Sequence, residues 1–247
     1  MNSQPTKQSA QGSLFPASPW TLIFEAKDGS SEALGQFLER YRRPLYAMAR
    51  ARGLNPEDAE DGVSDFIASF CHPQQKRLIN LRGPEEGLLR KKLSAWFKNF
   101  LVDEWRKTTS AKSGGKIPHS PYDEPAIAQA LSDESLTPSE ALDAVWAQQW
   151  YQRSQERFRA EFAAEPALVE RIFEGRAVEK SLEDLAKELG FTFAQVRHRL
   201  HKMKDRFQSM LKEELAATVA TPQQVEEELG ELMQALRRLY QQGGHGK

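Results

Sequence analysis

The chain has 247 residues and nearly balanced charge, with 34 Lys and Arg against 35 Asp and Glu. This length suffices for one or two domains, each able to bury its own core. The single cysteine, Cys71, excludes an intrachain disulfide and a cysteine zinc cluster. The sequence contains no apolar run of membrane-spanning length and no signal-peptide core at its polar N-terminus, so we expect a cytoplasmic chain without membrane contact.

The near-neutral average hides a segregation of charge along the chain. Between residues 76 and 116 eleven basic residues stand against only four acidic ones, whereas acids dominate from residue 123 to 188. Local fields, rather than the net charge, govern binding to phosphate. The composition therefore leaves nucleic acid open as a partner.

Helical periodicity covers nearly the whole chain, and no segment shows the alternation typical of a strand. The sequence predicts an all-α fold of two small helical domains joined by a flexible linker, the second containing a helix-turn-helix. The predicted parts are a disordered tail at 1–18, a helical domain at 19–107, a linker rich in Ser, Gly and Pro at 108–137, a second domain at 138–215 and a C-terminal helical extension at 216–247.

The helix predicted over Asp58–Phe70 begins after an Asn-Pro pair and carries acids on its polar side. These acids are Asp58, Glu60, Asp61 and Asp65. Taken alone, such a run is more typical of a solvated face than of a partner site.

The helix predicted over Leu88–Lys107 interleaves basic and aromatic residues, a composition that suits a surface gripping phosphates and stacking bases. Trp96 and Phe97 also have core spacing with Leu89 and Leu93, which favours packing for these two. The residues expected to be exposed and to contact DNA are Arg90, Lys91, Lys92, Lys98, Trp105 and Arg106.

The stretch Ser181–Phe207 has the pattern of a helix-turn-helix. Ser181, with Asp184 three residues on, predicts a capped first helix, and Gly190 supplies the left-handed residue that ends it. Thr192 can cap a second helix. The expected buried faces are Leu182, Leu185, Ala186 and Leu189 on the first helix and Val196, Leu200, Met203 and Phe207 on the second.

The polar face of this second helix is strongly basic. Arg and Lys neutralise phosphates or read guanine edges, and Gln can pair with adenine. The predicted DNA contacts are Thr192, Gln195, Arg197, His198, Arg199, His201 and Lys202. The alternative is an αα-hairpin with a solvated basic face.

These blocks, in this order, resemble the extracytoplasmic-function (ECF) sigma factors of bacterial RNA polymerase. The resemblance runs from about Trp20 to Leu239 and rests on NPEDAEDGVSDFIASF, LLRKKLSAWFKNFLVDEWRK and SLEDLAKELGFTFAQVRHRLHKMKDRF. The segment LAATVATPQQVEEELGELMQAL looks like the tail of a subgroup with a C-terminal extension.

The resemblance implies a non-enzymatic subunit whose partners are core RNA polymerase and promoter DNA. Asp58, Asp61 and Asp65 would dock on the polymerase, and the basic–aromatic helix would open the minus-ten element. The helix after Gly190 would read the minus-thirty-five element. An anti-sigma protein is a further partner that such a resemblance allows.

Two other functions compete with this one. The first is a stand-alone helix-turn-helix transcriptional regulator, whose N-terminal helices form a dimerisation or effector module. The second is an enzyme acting on nucleic acid, which we reject because the five histidines lack metal-ligand spacing and no phosphate loop or nucleophile motif is present. We therefore expect no catalytic residue, no metal and no cofactor.

Overall fold

A computed structural model describes residues 19–71, 77–83, 89–108, 127, 130–131, 136–174, 181–216 and 218–242. Within these ranges all regular structure is helical, as the sequence predicts. The helices are α1 (Pro19–Lys27), α2 (Ser31–Ala51), α3 (Pro56–Cys71), α4 (Arg77–Asn80), α5 (Leu89–Thr108), α6 (Pro138–Glu161), α7 (Pro166–Glu174), α8 (Leu182–Leu189), α9 (Phe193–Ala216) and α10 (Pro222–Gln242). None of these helices is both long and apolar enough to cross a membrane.

Helix α2 is the centre of the N-terminal part. It begins where the Ser30 hydroxyl accepts a hydrogen bond from the Ala33 amide at 3.1 Å, and it runs through Pro44. Its buried face packs against α1, α3 and α5. The side chains Phe37, Tyr41, Leu45 and Met48 form this face, and aromatic rings from α3 and α5 continue the same core.

Helix α6 joins the C-terminal part to this core. Thr137 and Glu140 form a reciprocal capping box at its start, with Pro138 at its first position. The contact between α2 and α6 is the most extensive between any two of the described helices. Because the buried side chains of both parts form one cluster, the division of the chain into two domains stays a prediction.

The predicted linker contributes to the core at one place. Ile127 and Ala130 are helical and buried, and Leu131 packs beside them. Apolar residues at this spacing share one face of a helix, which explains why they pack. At these positions the structure departs from the predicted flexible linker, most of whose remaining residues lie outside the described ranges.

The C-terminal extension folds back as α10 against α6 and α9. Leu232, Leu236 and Leu239 are buried along its inner face. The turn before α10 also meets α1, where the Trp20 indole donates a buried hydrogen bond of 3.1 Å to the Thr218 carbonyl. The extension is thus part of the helical core.

Candidate nucleic-acid interface

The turn between α8 and α9 is built as its sequence predicts. Ser181 caps α8 by accepting from the Asp184 amide at 3.1 Å, and Gly190 ends it with a φ of 70°. This left-handed conformation strains any residue with a β-carbon, which explains the glycine. Leu185 and Ala186 are buried, and Leu182 and Leu189 pack against the core beside them.

Helix α9 buries one face and exposes the other. Val196, Leu200, Met203 and Phe207 form the buried face, as predicted. Arg197, His198, His201 and Lys202 are all exposed on the other side. Among the described residues, Arg197, His198 and Lys202 have no hydrogen-bond or ion-pair partner, whereas the His201 ring lies 3.5 Å from Asp205. Arg197, His198 and Lys202 can therefore contact a phosphate backbone without first breaking an internal contact.

Three other predicted DNA contacts, at the start of α9 or on it, already have internal partners. The side-chain oxygen of Gln195 accepts hydrogen bonds from the Thr192 backbone amide and hydroxyl at 2.8 and 3.1 Å. In return, the backbone amide of Gln195 donates to the Thr192 hydroxyl. This pair is the capping box of α9. Arg199 pairs with Glu165, and its guanidinium lies 4.3 Å from the centre of the Phe191 ring. These residues hold the turn and α9 in place.

The expectation that Arg90 is exposed is wrong, whereas its contact with DNA stays a prediction. Arg90 is 3% exposed, and its guanidinium donates to Glu228 at 2.8 and 2.9 Å and to Glu231 at 3.0 Å. Asp143 is a third carboxylate partner. These charges raise the pKa of Arg90, although burial acts in the opposite direction. Arg90 is buried because α6 and α10, distant in sequence, fold over it.

The remaining basic residues of α5 are differently placed. The Lys91 ammonium lies 2.7 Å from Glu231 Oε1, and its side chain is half exposed. Lys92 is half-buried and Lys98 is exposed. The side chains of two further predicted contacts, Trp105 and Arg106, lie outside the described residues.

The aromatic residues in the middle of α5 are core residues. Phe97 is fully buried and meets Phe66 edge-on, with ring centres 5.0 Å apart. Trp96 is half-buried against Phe70 at 6.1 Å. Both packing predictions are confirmed.

The acidic face of α3 points outward, with Asp58, Asp61 and Asp65 all exposed. Asp58 takes part in the start of the helix, because its amide donates to Asn55 Oδ1 at 2.9 Å and its carboxylate accepts from the Asn55 amide group at 2.7 Å. Asp61 and Asp65 have no partner among the described residues. One helical turn apart, they form a paired negative surface.

Two features of the site were missed from the sequence. Phe193, the first residue of α9, is 41% exposed beside Ala194 and the basic face. Glu228 lies on the apolar stripe of α10, three residues after Val225 and four before Leu232. Arg90 likewise lies on the same helix face as the apolar residues Leu93 and Phe97. A single charged residue on the apolar face of each helix is the signal that could have revealed the pairing of Arg90 with Glu228.

Within the described ranges, no group of His, Cys, Asp and Glu side chains could hold a metal ion. Comparison of the chain with protein-family models, with curated proteins and with solved structures finds no match. The geometry of the residues themselves is therefore the basis for a functional proposal.

Proposed function

We propose that this protein is an ECF-like sigma factor, which binds core RNA polymerase, recognises promoter DNA and initiates transcription. The observation that carries the proposal is the exposed basic face of α9, presented directly after a capped helix and a left-handed turn. A helix held in this way can enter the major groove with its side chains towards the bases. Arg197 and Lys202 would neutralise phosphates, and His198 would lie between them.

The acidic face of α3 supports docking to polymerase. Asp61 and Asp65 carry two exposed carboxylates on one side of the helix. They are more than 100 residues before the basic residues of α9 in the sequence. A surface of this kind complements a basic partner and would steer its association. A regulator that only bound DNA would have no use for it.

In vitro transcription with core polymerase lacking sigma tests the proposal. Adding the chain to core and a library of promoter fragments should give discrete start sites, and the chain should co-purify with core. No co-purification and no transcript from any fragment would overturn the proposal.

A charge variant tests the docking surface. Asp61→Asn with Asp65→Asn should weaken binding to core by roughly tenfold, the size expected for lost charge complementarity of about 1.4 kcal/mol. Glu170→Gln with Glu183→Gln removes the same charge from other exposed positions and serves as the control. Equal binding by both double variants would exclude α3 as the docking surface.

A stand-alone transcriptional regulator is the second candidate. The burial of Arg90 favours it, because a protein reading duplex DNA through α9 alone has no need of α5. Such a protein would bind one duplex site tightly without polymerase, and core would not change its footprint. A sigma factor would instead protect and open promoter DNA only together with core.

A further inference from the structure

An open cleft of about 580 Å³ lies between α2 and α6, where the N-terminal and C-terminal parts of the chain meet. Its volume is in the range of about 300–1,000 Å³ that is usual for small-molecule sites. Three arginines line it, Arg40 and Arg43 from α2 and Arg153 from α6. The cleft therefore presents positive charge on both of its helices.

Arg40 lacks a counter-charge of its own. It is half-buried, and no described residue forms a hydrogen bond or an ion pair with it. Glu214 of α9 lines a second, narrow cavity together with Arg40, but its carboxylate oxygens already accept from Arg153 Nε at 2.8 Å and from Ser154 Oγ at 3.0 Å. Burial and the charge of Arg153 lower the pKa of Arg40, and Glu214 offsets this only in part. Two guanidinium groups thus share one carboxylate, although a charge removed from water is favourable only when it is paired.

The cleft also contains a hydrogen-bond acceptor without a donor. The side-chain oxygen of Gln149 is buried and accepts no hydrogen bond from any described residue. Gln149 lies four residues before Arg153 on α6, and both line the cleft. A buried acceptor of this kind destabilises the fold unless a donor reaches it. A ligand that carries both an oxyanion and hydroxyl groups would satisfy Arg40 and Gln149 together.

The charges at the rim limit which anion can enter. Glu39 and Glu156 also line the cleft, and both are exposed. They would repel an acidic peptide or a DNA backbone running along this surface, whereas a small phosphate can reach Arg40 and Arg43, which share one face of α2. We propose that the cleft binds a small phosphate monoester of a polyhydroxy compound, with its phosphate on Arg40 and a hydroxyl group donating to Gln149. The site is independent of the proposed function.

Binding at this site would act on the contact between α2 and α6. The cleft exists only while the two helices pack together, because Arg40 belongs to α2 and Gln149 and Arg153 belong to α6. A ligand that binds only this arrangement stabilises it by mass action. The concentration of the phosphate monoester would thereby be coupled to the packing of the N-terminal part against the C-terminal part.

Isothermal titration calorimetry of the full chain tests the site, with ribose 5-phosphate, inorganic phosphate and ribose as probes at constant ionic strength. Ribose 5-phosphate should bind once per chain and about tenfold more tightly than inorganic phosphate or ribose, because it alone uses both the cation and the acceptor. No saturable binding of ribose 5-phosphate below about 10 mM would overturn the proposal. A polyglutamate peptide that bound more tightly than ribose 5-phosphate would overturn it in favour of a protein partner.

Two variants locate the ligand in the cleft. Arg40→Gln should weaken binding of ribose 5-phosphate by about tenfold, the size expected for a lost charged hydrogen bond. Gln149→Leu should weaken it by about fivefold, the size expected for a neutral hydrogen bond, and should leave binding of inorganic phosphate unchanged. Arg237→Gln removes an exposed arginine of α10 and is the control, which should bind like wild type.

The stability of the ligand-free chain separates a binding role of Arg40 from a structural one. Because Arg40 has no partner among the described residues, Arg40→Gln should not lower the melting temperature without ligand. In wild type, ribose 5-phosphate should raise the melting temperature, and in Arg40→Gln the same concentration should raise it less. Equal affinity of wild type and Arg40→Gln would overturn the proposal. Transcription with core polymerase is a separate measurement, so a failure of this site leaves the proposed function untouched.

Discussion

Helices α5 and α9 both carry basic residues in their N-terminal halves, but these residues differ in their surroundings. On α9, Arg197 and Lys202 are exposed, and no described residue pairs with them. On α5, Arg90 is buried among carboxylates and Lys91 is paired with Glu231. The difference shows that basic residues on a helix are available to a phosphate backbone only where the rest of the fold leaves them uncovered, because a guanidinium binds phosphate and carboxylate through the same donors.

The largest expected effect is on the free energy of unfolding. Arg90→Ala should lower the free energy of unfolding by about 3–5 kcal/mol, because it leaves Glu228 buried without its counter-charge. Arg197→Ala should change it by less than about 0.5 kcal/mol, as expected for an exposed residue without partners. Urea denaturation followed by circular dichroism measures both. Similar losses in the two variants would mean that Arg90 is not held as described.

For binding to duplex DNA, we expect the exposed residues of α9 to have the larger effect. Arg197→Ala with Lys202→Ala should reduce the logarithmic salt slope of duplex binding by about 1.8, from about 0.9 for each lost phosphate contact. Lys187→Ala with Lys212→Ala removes the same charge from α8 and from the far end of α9 and is the control. Affinity measured by anisotropy across a salt series gives the slopes. An unchanged slope in the first variant would remove α9 from the DNA interface.

A smaller effect separates two arginines of α9 itself. Arg199→Ala should lower the free energy of unfolding by about 1 kcal/mol, since it loses an ion pair with Glu165 and the contact with the Phe191 ring. Arg197→Ala is the matched control on the same helix. Thermal denaturation of the two variants is the measurement, and an equal melting temperature would contradict a structural role for Arg199.

Acid titration should give the smallest effect. A hydrogen bond from Arg206 lowers the pKa of Glu161, and, against the effect of burial, Arg157 and Arg206 lower that of Glu213. Carboxyls with lowered pKa stabilise the fold above their unfolded value of about 4.3 and lose that contribution as pH falls through the folded value. Arg206→Gln should therefore lower the free energy of unfolding by about 0.5 kcal/mol, the size expected for such exposed pairs. This difference from wild type should be constant from about pH 7 to 5 and should shrink below about pH 4.3.

The cluster around Arg90 should respond in the opposite sense. Burial raises the pKa of Asp143 despite the nearby guanidinium. A raised pKa means that the Asp143 carboxyl binds its proton more tightly in the folded state than in the unfolded state. The stability that this proton contributes is therefore lost as pH rises through the folded pKa. Asp143→Asn should thus gain stability relative to wild type as pH rises. A relative loss with rising pH would contradict the raised pKa of Asp143.

Local features were predictable to a large extent. The capped start of α8 at Ser181, the left-handed Gly190 and the buried stripe from Val196 to Phe207 all follow the sequence pattern. The packing of Trp96 and Phe97 was also correct. These features depend on residues within one or two helical turns of each other, so periodicity and capping chemistry suffice to find them.

The positions of charged groups were harder to predict. Arg90 and Lys98 stand eight residues apart on the same helix, yet one is buried and the other is exposed. Thr192 and Gln195, two predicted DNA contacts, also cap their own helix. In each case the competing partner is a group of the protein itself, which composition does not reveal.

By itself, the sequence determined the helical class of the described ranges, the caps at Ser181 and Gly190 and the apolar faces of α8 and α9, because these depend on neighbours along one helix. Only the tertiary structure decided which basic side chains remain in contact with water. That outcome depends on pairs such as Arg90 and Glu228, which are 138 residues apart and meet only when α10 folds back over α5. Burial is a property of the assembled helices, so no local pattern fixes it.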